Sequence, residues 1–260
     1  MDLQLRGRRA LVTGGTRGLG RGIVERLAEE GCAVALCARD ADAVEDAVAA
    51  LRTAGATAWG EAADVTDEEA LRGVVDGAAE ALGGLDLLVV CAGGAVGSPA
   101  LVETGADDWR TTLDLNVVHA STAVAAAVPH LRASSAASVL VIASVSGSRP
   151  QPKSQYAAAK AAQIALARSL GRELGPLGVR VNALSPGSIL FEGGGWARRR
   201  DADPEAFARF LEAELPEGRL GTVDEVADAA AWLLSPRASW VNGTELVVDG
   251  AQGAPGMAGY

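Results

Sequence analysis

Leu11-Val12-Thr13-Gly14-Gly15-Thr16-Arg17-Gly18-Leu19-Gly20 is the stretch that decides the fold. It follows a short apolar run at 10–12 and opens a helical pattern at 18–30. Glycines let the backbone turn tightly and approach a ligand closely, and a helix start offers free N–H groups at the positive end of its dipole. A strand, a glycine-rich turn and a helix in that order form a candidate pyrophosphate cradle. Its candidate residues are Gly14, Thr16, Arg17, Gly18, Leu19 and Gly20. The spacing Gly14-x-x-x-Gly18-x-Gly20 differs from the more familiar G-x-G-x-x-G.

Outward from this turn, apolar and β-branched runs at 10–12, 33–37, 57–61, 85–91, 138–143, 179–184 and 245–248 predict strands. Helical patterns separate them at 18–30, 42–54, 67–82, 107–132, 154–174 and 223–234. That alternation predicts an α/β fold built from βαβ units around a parallel sheet. Several strands are almost wholly apolar, as when helices cover both faces of the sheet. Thr222-Val223-Asp224-Glu225 has the form of a capping box opening the last helix. The whole chain, 1–260, reads as one domain. The irregular stretch 187–216, rich in glycine and proline and with short helical pieces, predicts a lid over a binding site, with Trp196, Phe207 and Phe210 as apolar docking surface, a disordered excursion being the alternative.

Composition limits the function. The formal net charge of -10 argues against a nucleic-acid or anionic-membrane partner, whose phosphates would be repelled. No apolar run is long enough to span a bilayer, and the first residues lack a secretory pattern, so a cytoplasmic location is expected. Cys32, Cys37 and Cys91 form no CxxC pair and read as reduced core thiols. His119 and His130 match no ligand spacing, so no metal site is expected.

The second chemical signal is Tyr156-Ala157-Ala158-Ala159-Lys160 at the start of a helical run. Residues four apart share a helix face. A lysine ammonium there would favour the phenolate and lower the tyrosine pKa, which suits acid–base work near neutrality. Ser144 stands twelve residues earlier, after a buried strand, where its hydroxyl could hold a substrate oxygen.

With these parts in place, almost the full chain resembles the short-chain dehydrogenase/reductase family. The glycine turn resembles that family's TGxxxGxG. Asp64-Val65 resembles the pair that contacts adenine. Asn116, Ser144, Tyr156 and Lys160 match the catalytic tetrad, and Pro186-Gly187 matches the turn after the sixth strand, where the backbone near Ile189 would contact nicotinamide. The resemblance implies a doubly wound Rossmann sheet of seven parallel strands in the order 3-2-1-4-5-6-7, and a homo-oligomer, dimer or tetramer. It implies that Tyr156 exchanges a proton with the substrate oxygen and Ser144 holds that oxygen. Tyr156 and Lys160 would also contact the coenzyme, Lys160 at the nicotinamide ribose, and Asn116 would help relay protons to Lys160 through its backbone and water. Two departures stand out. Val90-Cys91-Ala92-Gly93 replaces the family's Asn-Asn-Ala-Gly, although Ala92 and Gly93 still permit close approach of a coenzyme. Leu190 and Phe191 stand where a threonine is usual.

The end of the second strand carries Ala38-Arg39 rather than an acidic residue. With Arg17, Arg39 would suit a ribose 2′-phosphate, so NADP(H) is expected over NAD(H), although Asp40 could offset the two cations. A free small molecule is the expected substrate. A carrier-protein reductase would need basic residues in 133–137 and 175–178, and both stretches lack them. Trp196, Val145, Ser146 and Gln151 are candidate pocket walls, Trp196 alternatively packing the lid. Arg198-Arg199-Arg200 reads either as an attractor for an anionic substrate or as a solvated helix face. A dinucleotide-binding regulator on the same fold is the non-enzymatic alternative.

Overall fold

A computed structural model describes residues 1–253; residues 254–260, the end of the expected single domain, lie outside the described residues. The strands are β1 (Arg9–Thr13), β2 (Ala33–Ala38), β3 (Ala58–Ala62), β4 (Leu87–Val90), β5 (Ser138–Ile142), β6 (Arg180–Pro186), β7 (Ile189–Leu190), β8 (Gly221–Thr222) and β9 (Glu245–Val248). The helices are α1 (Gly18–Glu29), α2 (Ala41–Thr53), α3 (Glu68–Leu82), α4 (Ala106–Leu113), α5 (His119–Leu131), α6 (Ser154–Leu174), α7 (Gly195–Ala202), α8 (Pro204–Glu214) and α9 (Val223–Leu234).

Seven strands form one parallel sheet in the order β3-β2-β1-β4-β5-β6-β9. This is the expected order, its seventh strand being ninth along the chain because β7 and β8 pair separately. Both faces are covered. One face packs Leu11, Leu88, Val139 and Val181 against α3, α5 and α6; the other packs Val12, Leu36, Val89 and Leu140 against α1, α2 and α9. Leu88 and Leu140 are essentially inaccessible, and truncating either to alanine is expected to cost about 2–5 kcal/mol. The order reverses between β1 and β4, and the crevice beyond the strand ends at such a switch point is where ligands bind in doubly wound sheets.

Local signals read from the sequence have clear counterparts. The Thr222 hydroxyl accepts from the Glu225 N–H, and the Glu225 carboxylate accepts from the Thr222 N–H. This capping box opens α9. The helix expected over 107–132 is interrupted. Residues Asp114–Val118 form a π-helical turn between α4 and α5. Such turns recur at functional sites, and this one contains Asn116.

The short helical pieces expected in 187–216 are present as two helices. The stretch holds β7, α7 and α8, and its Phe207 and Leu215 form a small core with Leu220 just beyond it, packed by Leu190, Trp196, Phe210 and Leu211. Trp196 stacks on Phe210 at 4.4 Å and 27° between planes, so its ring serves packing within this unit.

Candidate active site

Three strand ends build the crevice. After β1, Gly14 and Gly18 take left-handed φ values of 72° and 54°. A Cβ at Gly20 would lie 2.1 Å from the Gly14 carbonyl oxygen, so only glycine lets α1 start so close to the strand. Arg17 at the N-cap provides no side-chain cap, which leaves the first N–H groups of this 12-residue helix to meet an anion. This cradle fits a dinucleotide pyrophosphate. The Phe191 ring packs over Gly18, joining the start of the 187–216 stretch to the cradle.

After β4, the missing asparagine leaves no gap in the backbone bonding. The buried Thr13 hydroxyl instead accepts from the N–H groups of Cys91 and Ala92, at 3.0 and 3.2 Å, and ties the two strand ends together. Gly93 lies against the tetrad: a Cβ there would stand 2.7 Å from Asn116 Oδ1 and 3.4 Å from Lys160 Nζ. After β5, Ser144 accepts from the Ser146 N–H and starts a short 3₁₀ turn. Gly147 in that turn touches the backbone of α6 at Lys160 and Ala161, which fixes the distance between the serine segment and α6.

Asn116, Ser144, Tyr156 and Lys160 thus come together. The Asn116 amide donates to the Gly94 and Thr112 carbonyls, both at 2.7 Å, and pins the segment after β4. Lys160 is buried and donates to the Ile142 carbonyl at 2.9 Å and to Gln163 Oε1 at 2.8 Å. Its Nζ is 5.5 Å from the centre of the Tyr156 ring. Burial pushes the lysine down to about 8.

The electrostatics correct one expectation. Burial raises the Tyr156 pKa, while the neighbouring Ser144 hydroxyl pulls it down. Lys160 is not among the groups that move the phenol, so burial prevails and the lowering expected from the lysine does not appear.

The remaining predicted residues are placed as follows. Asp64 accepts from the N–H and hydroxyl of Thr66, and these bonds lower its pKa, with Arg39 adding to the effect. Val65 is buried in the core. Arg17 and Arg39 are exposed, and neither forms an ion pair among the described residues. Asp40 is committed to capping α2 through the Ala43 N–H. Pro186 ends β6, the Gly187 N–H donates to the Val248 carbonyl, and Ile189 is buried in β7. Each arginine of the basic run has a local partner. Arg198 donates to the Gly193 carbonyl, Arg199 lies over the Trp196 and Phe210 rings, and Arg200 pairs with Asp201. Gln155 and Gln163 were not legible as site residues. Gln155 donates to the Val96 and Ser98 carbonyls and clamps the segment after β4. Among the described residues no three His, Cys, Asp or Glu side chains gather as a metal-ligand set, and no helix is long and apolar enough to cross a membrane.

Comparison with known proteins agrees with this geometry. A family model described as enoyl-(acyl carrier protein) reductase matches residues 14–251. Isoepoxydon dehydrogenase patN of Penicillium expansum is 37% identical over 251 residues, covering 95% of both chains. The structure of a short-chain dehydrogenase from Burkholderia cenocepacia in complex with NADP superposes with a TM-score of 0.84 at 35% identity, covering 95% of this chain and 98% of that one. A 7α-hydroxysteroid dehydrogenase complexed with NADH and 7-oxo glycochenodeoxycholic acid gives 0.89 at 32%, covering 96% of each. The sheet order, the glycine cradle and these similarities together place the chain in the short-chain dehydrogenase/reductase family of oxidoreductases.

Proposed function

We propose that this oxidoreductase transfers a hydride between NADP(H) and a carbonyl or secondary alcohol of a free small molecule. The observation that carries the reading is the meeting of Ser144, Tyr156 and Lys160 at the end of β5, beside the cradle formed by Gly14, Gly18 and Gly20. The coenzyme, when bound, supplies or accepts the hydride. Tyr156 gives its phenolic proton to the substrate oxygen in reduction and takes it back in oxidation. Ser144 donates a hydrogen bond to the same oxygen as charge develops on it. Lys160 keeps one N–H free for the coenzyme ribose, since Ile142 and Gln163 take the other two. Gly93, Ala92, Pro186, Gly187 and Ile189 line the nicotinamide side.

Arg17 and Arg39 support NADP(H) over NAD(H): both are exposed, they lack ion-pair partners among the described residues, and Asp40 is held at its helix cap. Relatives are described with either coenzyme, so the preference rests on these two cations. A carrier-bound substrate is disfavoured. The stretches around 133–137 and 175–178 line a shared cavity of about 550 Å³ in which Arg180 is committed to the carbonyls of Leu233, Leu234, Ser235 and Val241. Ala158, Ala161 and Ala165 leave an exposed small-residue stripe on α6, which supports a homo-oligomer. Three unpaired thiols support a reducing, cytoplasmic location.

The test is a fluorescence titration with NADPH and NADH, followed by a ketone and alcohol panel on the wild type and Tyr156→Phe. Tighter NADPH binding and turnover lost in the variant are expected. Coenzyme binding without turnover of any compound would favour a regulator.

A further inference from the structure

Gln163 lies one turn beyond Lys160 on α6 and is completely buried. Both ends of its amide are used. Oε1 accepts from Lys160 Nζ at 2.8 Å, and Nε2 donates to the Asn116 backbone carbonyl at 2.7 Å. That carbonyl belongs to the π-helical turn, where the α-helical ladder is interrupted and a carbonyl is open to a partner outside the helix. The catalytic lysine and the catalytic asparagine are therefore joined by a protein side chain.

We infer that Gln163 is a positioning residue for the reaction, holding the Lys160 ammonium in place by spanning from it to the Asn116 turn. This rests on the reading of Lys160 as part of the active site. The resemblance to the family implies a water link between Asn116 and the lysine; here an amide makes the connection. A water can pass a proton by exchanging its own, whereas an amide keeps its N–H protons at neutral pH. The connection is thus a strut for the lysine. It also governs charge. The titratable groups facing Lys160 are Cys91 from the end of β4, His119 from α5 and Tyr156 on its own helix, and none of these is a carboxylate. The ammonium is held by two neutral oxygens, of Ile142 and Gln163.

The sequence offers a direct readout, because the chain has two lysines, Lys153 and Lys160. Lys153 is exposed. Isotope-labelled lysine followed by NMR through a pH titration gives two signals, assigned with Lys153→Arg, with no coenzyme or substrate present. Gln163→Leu removes an acceptor and is expected to move the Lys160 titration down by about one pH unit, while Gln163→Glu adds an anion and moves it up by more than about one. Gln163→Met stands in for the leucine variant if that one does not fold. With a carbonyl substrate from the panel, Gln163→Leu is expected to lower kcat about tenfold with little change in KM. A residue that merely fills the core would alter thermal stability and leave Lys160 titrating at the wild-type pH in all folded variants; that result overturns the inference. So does a displaced titration with unchanged kcat. Retained turnover in Tyr156→Phe would instead count against the functional reading, and the lysine titration would still judge Gln163.

Discussion

Lys160 Nζ lies 5.5 Å from the centre of the Tyr156 ring, yet its hydrogen bonds run away from the phenol, to Ile142 O and Gln163 Oε1. The pair is held together on one face of α6 without a direct bond between the two groups. Burial dominates both, raising the phenol and bringing the lysine down to about 8. Tyr156→Phe is expected to lower kcat/KM by about 10²–10⁴. Coenzyme affinity should be unchanged, because the ring and its packing remain. Steady-state kinetics beside a fluorescence titration checks both halves.

Arg17 and Arg39 should act on one coenzyme only. A charge-assisted bond to phosphate contributes about 1.5–3 kcal/mol, so either arginine to alanine is expected to weaken NADPH about tenfold or more. NADH binding should stay within error. Equal weakening of both coenzymes would mean that the arginines serve the cradle rather than a 2′-phosphate.

Gly93→Ala should damage the site while sparing the fold. Its Cβ would stand 2.7 Å from Asn116 Oδ1 and 3.4 Å from Lys160 Nζ, so the tetrad must shift. The same substitution at Gly73, where nothing lies within 4 Å, is the control. Loss of turnover at position 93, with retained turnover at 73, is expected. Chemical denaturation of both variants shows whether the fold survives.

His119 should make the fold acid-sensitive. It is buried, and burial with the nearby Lys160 charge lowers its pKa from 6.5 to about 4 against an opposing pull from the Leu115 backbone. Between those pH values the unfolded chain binds the extra proton and the folded chain does not, so stability rises with pH across this window and is lost as pH falls from about 6.5 to about 4. The loss attributable to this residue is at most about 3 kcal/mol. Denaturation curves of wild type and His119→Leu at several pH values check it. The difference between them should change across the window; parallel curves would remove His119 from the account.

The parts of this protein that depend on short-range pattern were legible in the sequence. The cradle could be read because Gly14, Gly18 and Gly20 sit between a strand and a helix, and the sheet could be read from apolar runs alternating with helical periods. Thr222 and Glu225 announced their cap. Three features could not be read, for physical reasons. The π-turn at Asn116 is a single five-residue turn between two helices, and it is fixed by tertiary bonds, from the Asn116 amide to Gly94 and from Gln163 to the Asn116 carbonyl, that local periodicity does not contain. Gln163 is separated from Asn116 by 47 positions in the chain, and a glutamine on a helix gives no signal of its partner. The Tyr156 pKa depends on how deeply the fold buries the ring and on the Ser144 hydroxyl brought beside it, neither of which a Tyr-x-x-x-Lys spacing contains. The stretch 187–216 was readable as irregular, but its packing of Trp196 on Phe210 and of Phe191 over Gly18 depends on tertiary contacts.

The most direct test of the central claim is to follow a deuterium label. NADPH labelled at its transferable position is incubated with a ketone substrate and the wild type or Tyr156→Phe, and the product alcohol is analysed by mass spectrometry. The expected result is one deuterium on the carbinol carbon with the wild type and almost no labelled product with the variant. Equal labelling by both proteins would contradict the assignment of proton transfer to Tyr156, and alcohol formed without label would contradict hydride transfer from the coenzyme.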